Sequence, residues 1–254
     1  MTETLPDAGE PATVSAMSTS RGRSALFYAR VVGVIYLAAM ALSMFSQVYV
    51  PSRLVVPGDV AATARNLVAS EGLFRAGIVI DVLVFLSDVV LAWALYELLR
   101  PVDDALARLG AFLRVADAAI LACATLNGLL GLRFSSGATY LKAIEPEELQ
   151  ALSRAFMIQR GTGLYIGFVF LGAGSLVFAY LLLRSRYIPR VLAAWGIFAS
   201  ALLALGALAT LQSPWFAANG AMVSMVPMFL YEVPLGVWFL VRGVDSPTAQ
   251  ATGA

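Results

Sequence analysis

The sequence predicts an all-α fold: an integral membrane bundle of six transmembrane helices, with two short surface helices in the first and third loops. Three observations carry this. Sixty per cent of the 254 residues are hydrophobic and 13% are charged, against roughly 45–50% and about 25% in a soluble domain. Mean hydropathy is +0.82. The apolar residues fall into blocks near the ~20 residues that span a hydrocarbon core, and the charges lie almost entirely between the blocks.

Taken in order, residues 1–24 are rich in Ala, Pro, Thr, Ser and Gly and bury too little apolar surface to fold alone, so they read as a disordered tail. They lack the basic start and short apolar core of a secretory signal. A small-x-small triplet stands at 39–41, but the apolar run continues past it, and no cleavage is expected. The bundle then occupies residues 25–243, and 244–254 form a short polar tail. The first span runs from about Phe27 to Val50 and should stop at Pro51. In the loop after it, Asp59 is placed to cap a helix in which Val60, Ala64, Leu67 and Val68 follow helical spacing.

The second span, Leu73 to Arg100, carries Asp81 and Asp88 inside an otherwise apolar run. Seven residues are two helical turns, so both acids lie on one face. A carboxylate at that depth costs a few kcal/mol and must face a partner or a wet cavity. Pro101 ends the helix. The third span, about Leu109 to Leu132, holds Arg114 and Asp117, whose spacing of three suggests a local ion pair.

Residues 145–160 have Pro146, Glu147 and Glu148 at the start and Arg160 at the end, charges that complement a helix dipole. They predict the second surface helix. The fourth span, about Gly161 to Leu183, contains Gly163-x-x-x-Gly167, a face that lets another helix approach closely. The fifth, about Val191 to Leu211, has no charge and reads as packing. The sixth, about Met222 to Val241, carries Glu232 between Pro227 and Pro234. Each proline frees a carbonyl in the preceding turn, so a helix break beside a buried acid is expected here.

Counting ~1.5 Å per residue from the helix ends puts Asp88, Asp117 and Glu232 at one level, roughly 12–17 Å deep, with Arg114 shallower and Asp81 nearer the opposite face. Three acids and one arginine cannot all pair, so at least one acid is expected to be neutral or hydrated. Asp81, Asp88, Arg114, Asp117 and Glu232 are therefore the candidates for holding a ligand or a proton.

Other chemistry is narrowed by what is missing. The chain has no histidine and one cysteine, Cys123, which removes His-ligated haem, HExxH zinc sites, Ser–His nucleophiles and internal disulfides. No metal and no cofactor are expected. The net charge of +1 argues against nucleic acid as a partner. A GxGD protease motif would need to sit on a span, whereas Gly58-Asp59 is in a loop, and GxSxG does not occur. The sequence leans against an enzyme.

Six spans put both termini on one side. Arg21, Arg23, Arg30, Arg100, Arg108, Arg184, Arg186, Arg190 and Arg242 fall there in short segments, against Arg53, Arg65, Lys142 and Arg154 in longer loops opposite. Basic residues in short loops mark the cytoplasm, so both termini are expected inside a bacterial cytoplasmic membrane.

The runs ARVVGVIYL, RLVVPGDVAATARNLVASEGLFRAGIVIDVL, LYELLRPVDDALARL, SRYIPRVLAAWG and YEVPLGVWFLVRG resemble the bacterial membrane family known as domain of unknown function 4386. The likeness covers about residues 26–243, and LYxLLRPV and SRxIPRxLAxWG are its most specific stretches. It implies a six-helix membrane protein with no assigned activity and no catalytic residues to carry over. The leading reading is a multi-pass protein of unassigned activity whose buried acidic cluster binds a small molecule, of unknown identity, or a proton. A proton- or cation-coupled transporter is the alternative; six short spans would then call for a homo-oligomer, a homodimer. A structural or partner-binding role is the third, and predicts that the acids tolerate Asn and Gln.

The charge bias makes a direct prediction. A fluorescent reporter fused after Ala254 should be active in the cytoplasm, and a periplasm-dependent reporter near Pro214 should be active outside. The reverse result at either site overturns the orientation.

Overall fold

The computed structural model describes residues 10–56, 58–135, 141 and 143–244. Lys142 and the stretches 1–9 and 245–254 lie outside the described residues. Six helices in it are long and apolar enough to cross a membrane, and among the described residues there is no strand. This is a multi-pass helical membrane protein.

Helix α1 spans Glu10–Ser43 and passes through a wide π-helical turn, Met44–Tyr49, into α2, Val50–Leu54. The backbone is thus already helical over residues 10–24, where a disordered tail was expected; extending a helix backward costs far less than nucleating one. The apolar span itself begins at Ser24. Pro51 does not end the span but sits at the start of α2. The π turn accounts for this: the Val50 N–H bonds to the Phe45 carbonyl, five residues back. A membrane helix tolerates a proline where local π geometry re-satisfies the freed groups.

Helix α3, Val60–Ala69, stands in the first loop, its first turn closed by Asp59 Oδ1 accepting from the Ala62 N–H at 2.8 Å. Helix α4 is Glu71–Leu99 and α5 is Asp104–Ser135. The second surface helix does not exist as a separate element. Residues 146–160 are the first four turns of α6, one 40-residue helix from Pro146 to Ser185. Gly161 and Gly163 lower helix propensity by only about 1 kcal/mol each, too little to break a helix held on both sides of them. At ~1.5 Å per residue α6 is about 60 Å long, twice the hydrocarbon thickness, so it continues past the span. It ends at Arg186, which takes a left-handed conformation (φ 57°). Helix α7, Arg190–Gln212, a short α8, Pro214–Asn219, and α9, Ala221–Val241, are the remaining helices among the described residues.

The long helices pack in chain order, α1 on α4, then α5, α6, α7 and α9, and α9 returns to α1. The result is a closed six-helix ring with antiparallel neighbours. Small residues close several of its seams. A Cβ added at Gly33 of α1 would lie 2.7 Å from the Gly236 carbonyl oxygen of α9. One at Gly163 would lie 2.6 Å from Ala124 Cβ, and one at Gly172 2.7 Å from the Ser200 carbonyl oxygen. Close approach of this kind is how membrane helices gain packing energy when the lipid is as apolar as they are.

Among the described residues the interior holds three apolar clusters. One, at the end that carries the termini, includes Leu91, Leu95, Leu98, Phe178, Leu182, Leu235 and Phe239. A second, at the opposite end, is built on Val50, Leu54, Leu67, Phe74, Ile78 and Leu132. A thin third, Val84, Phe85, Ala118 and Leu121, lies between them.

Two glycines on α6 should respond oppositely to alanine. Gly161 has nothing within 4 Å of an added Cβ, so Gly161→Ala should stabilise by about 0.4–1 kcal/mol. Gly163→Ala should destabilise by about 1–3 kcal/mol, because the added methyl meets Ala124. Melting in detergent reads both; equal shifts of the same sign would mean that the α5–α6 seam yields freely.

Candidate functional site

The buried positions of α4 run 74, 77/78, 81, 84/85, 91/92, 95, 98/99. Asp81 occupies this inward stripe, and Asp88 falls on it two turns later with its side chain 14% exposed. On α5 the stripe is 107, 110, 114, 117/118, 121, 124/125, 128, 131/132, so Arg114 and Asp117 hold positions that elsewhere on the helix hold Ala, Leu, Gly or Thr. The polar residues therefore sit in the wall of the core. They form two layers, separated by the Val84–Phe85–Ala118–Leu121 cluster.

The layer nearer the termini is built on Arg114. Its side chain is 2% exposed, and Nη2 donates to Asp88 Oδ1 at 2.9 Å. Nη1 lies 3.4 Å from the Ser175 hydroxyl of α6. Asp117, Glu232 of α9 and Tyr36 of α1 are also within its electrostatic reach. The local Arg114–Asp117 pair suggested by spacing is not what forms. Both Asp117 oxygens are buried with no hydrogen-bond partner, as is Arg114 Nε. Room for the Asp117 carboxylate comes from Gly167, where an added Cβ would lie 3.2 Å from Oδ1. Glu232, half-buried, shares the field of Arg114 and Asp88, and no described residue hydrogen-bonds to it. Beside it, Tyr231 is fully buried and its ring fills the space left by Gly196.

The expected break in the sixth span is absent. Pro227 and Pro234 both lie inside the continuous helix α9. The Trp195 indole N–H of α7 donates to the Pro227 carbonyl at 3.1 Å, one of the neighbouring-helix contacts that let a membrane helix carry proline.

The other layer is built on Asp81, which is not in the Arg114 cluster. Arg160 Nη2 of α6 donates to Asp81 Oδ2 at 2.8 Å, and the Gln47 side-chain amide of the π turn donates to Oδ1 at 2.9 Å. Gly128 leaves space for Arg160; an added Cβ there would lie 2.8 Å from its Cδ. From the sequence Arg160 was read only as a helix-end charge, and Gln47 and Ser175 were not read as site residues. One signal for Arg160 was present: Ser153, Arg160, Gly167 and Gly174 recur every seven residues and so share a face of one long helix. No comparable signal marks Gln47, whose direction depends on the π turn.

Among the described residues no three acids or thiols converge as a metal-binding set. A cavity of about 440 Å3 opens at the end away from the termini, between α2, α3, the start of α4 and α6, with Arg160 in its wall.

The family model described as "Domain of unknown function (DUF4386)" matches residues 31–243. The chain belongs to this family. Comparison with curated proteins and with solved structures gives no match. All residues of both DUF4386 ionic layers fall within the matched region.

Arg114→Leu should cost roughly 3–5 kcal/mol by leaving buried acid unpaired, read as a lower melting temperature in detergent. Adding Asp88→Leu should recover more of that loss than adding Asp117→Leu. The opposite order would place the pair within α5.

Proposed function

We propose that this DUF4386 protein is a proton-binding protein of a bacterial cytoplasmic membrane, with the Arg114 layer as its binding site. The observation that carries the reading is Asp117: fully buried, with neither carboxylate oxygen partnered, in a cluster of three acids and one guanidinium. Burying a net charge of two inside a bundle is far more costly than taking up a proton. The acids do not converge as cation ligands do, so protons are the simpler balance. Every element facing the cluster contributes a named group: Tyr36 from α1, Asp88 from α4, Arg114 and Asp117 from α5, Ser175 from α6, Tyr231 and Glu232 from α9. On α7, Gly196 leaves room for the Tyr231 ring.

Both termini are placed in the cytoplasm on the strength of Arg100, Arg184, Arg186 and Arg190 in the short connections on their side. Arg75 and Arg133, near the opposite helix ends, narrow that bias.

If the folded protein binds more protons than the unfolded chain, stability falls as pH rises, by about 1.4 kcal/mol per pH unit for each extra proton. Melting temperature in detergent should therefore drop from mildly acidic to alkaline pH. Asp117→Asn should flatten most of that slope, and Glu232→Gln part of it. A slope that both variants leave unchanged, or a melting temperature that follows sodium rather than pH, would refute proton binding here.

A further inference from the structure

The second polar feature, the cavity of about 440 Å3 at the end away from the termini, is independent of the proton reading. Its volume falls within the ~300–1,000 Å3 typical of small-molecule sites. The walls are largely the apolar cluster of Leu54, Leu67, Phe74 and Ile78, joined by Met157. Three charged groups line it, one of which, Arg160, is paired with Asp81. Arg154 and Arg160 line it against the single acid Asp59, and Asp59 Oδ1 is already engaged by the Ala62 N–H.

Arg160 gives the cavity a specific polar end. Nη2 holds Asp81, while Nε is buried and has no acceptor. An unpaired donor on a buried charged group is costly, and an oxygen acceptor arriving in the cavity would satisfy it. Asp81 is held on its other oxygen by Gln47, so it need not give up all its contacts when Arg160 turns toward a ligand. Arg154 lies six residues closer to the start of α6, about 9 Å along the axis, nearer the mouth. The cavity thus offers apolar walls, the Arg160 guanidinium in its wall with Nε lacking an acceptor, and a second cation, Arg154.

We infer that this cavity binds a small amphipathic carboxylate, its apolar body among Leu54, Leu67, Phe74 and Met157 and its head on Arg160. The same chemistry is found in single-chain fatty acids, which arrive from the bilayer, and in short hydrophobic or aromatic acids, which arrive from solution.

The test uses the full-length protein in a nonionic detergent and a diazirine-bearing dodecanoate, with crosslinks mapped by mass spectrometry. Labelling is expected on the cavity-lining segments of α3, α4 and α6. Dodecanoate should compete at least tenfold better than dodecanol, the worth of a charge-assisted hydrogen bond. The double variant Arg160→Gln with Asp81→Asn, which leaves no unpaired acid, should abolish that preference while still binding the alcohol. If the double variant fails to fold, Arg154→Gln at the exposed mouth and the acid-to-alcohol ratio in the parent protein decide instead. Dodecanoate outcompeting benzoate assigns the ligand to the bilayer, and the reverse assigns it to solution. Labels outside the cavity, equal competition by acid and alcohol, or displacement by phosphatidylglycerol but by neither acid would each overturn the site.

Discussion

A guanidinium cannot stay in a hydrocarbon interior without acceptors, and Arg114 is the residue on which that constraint falls hardest. It is 2% exposed. Its contacts come from Asp88 on α4 and Ser175 on α6, with Glu232 and Tyr36 in its field from α9 and α1. Satisfying it fixes helices against one another along their axes. A slip of one residue on α4 would rotate Asp88 by about 100° out of the core. Replacing such a pair by apolar residues often leaves stability unchanged or raises it, so its best-supported role is to set register.

The apolar layers make the two polar sites separate. Along α4 the order is Phe74 and Ile78, then Asp81, then Val84 and Phe85, then Asp88, then Leu91 and Leu95. Asp81 and Asp88 are ~10 Å apart along the helix, with one apolar layer between them. The π turn Met44–Tyr49 serves the first site. It adds a residue to the turn, and so rotates the chain beyond it relative to an uninterrupted α-helix. From that turn Gln47 reaches Asp81. Single π turns of this kind recur at functional positions in helices.

The six spans were legible because length and hydropathy fix them almost without reference to tertiary structure. The inward stripe of Asp81 and Asp88 was legible for a related reason: helical periodicity alone sets which residues share a face. Pairing was not. Arg114 is three residues from Asp117 and twenty-six from Asp88, yet it bonds to the distant acid, because the choice depends on how α4 and α5 are rotated. Arg160 was read as the end of a surface helix because a basic residue there, with Glu147 and Glu148 at the start, complements the helix dipole, but α6 runs straight on through it. Pro51, Pro227 and Pro234 misled in the same way. Proline is a reliable stop in water, where a freed carbonyl can be hydrated, and a weaker one where a neighbouring helix or a π turn takes up the slack.

The two ionic layers differ most in how completely they are satisfied. Around Asp81, one carboxylate meets two donors, Arg160 and Gln47, and both its oxygens are partnered. What is left over there is a cationic donor, Arg160 Nε, beside a cavity. Around Arg114 the charges do not balance: one base stands among three acids, and Arg114 Nε and both Asp117 oxygens have no hydrogen-bond partner among the described residues. A spare donor beside a cavity is completed by an acceptor, and an excess of buried carboxylates by a proton. The same rule, that buried polar groups must be paired, underlies both proposals, an anion at one end of the bundle and a proton at its centre. Both layers meet on α4, through Asp81 and Asp88, and on α6, through Arg160 and Ser175, so a rotation of either helix would disturb both at once. Physical contact between the two layers runs through this pair of helices.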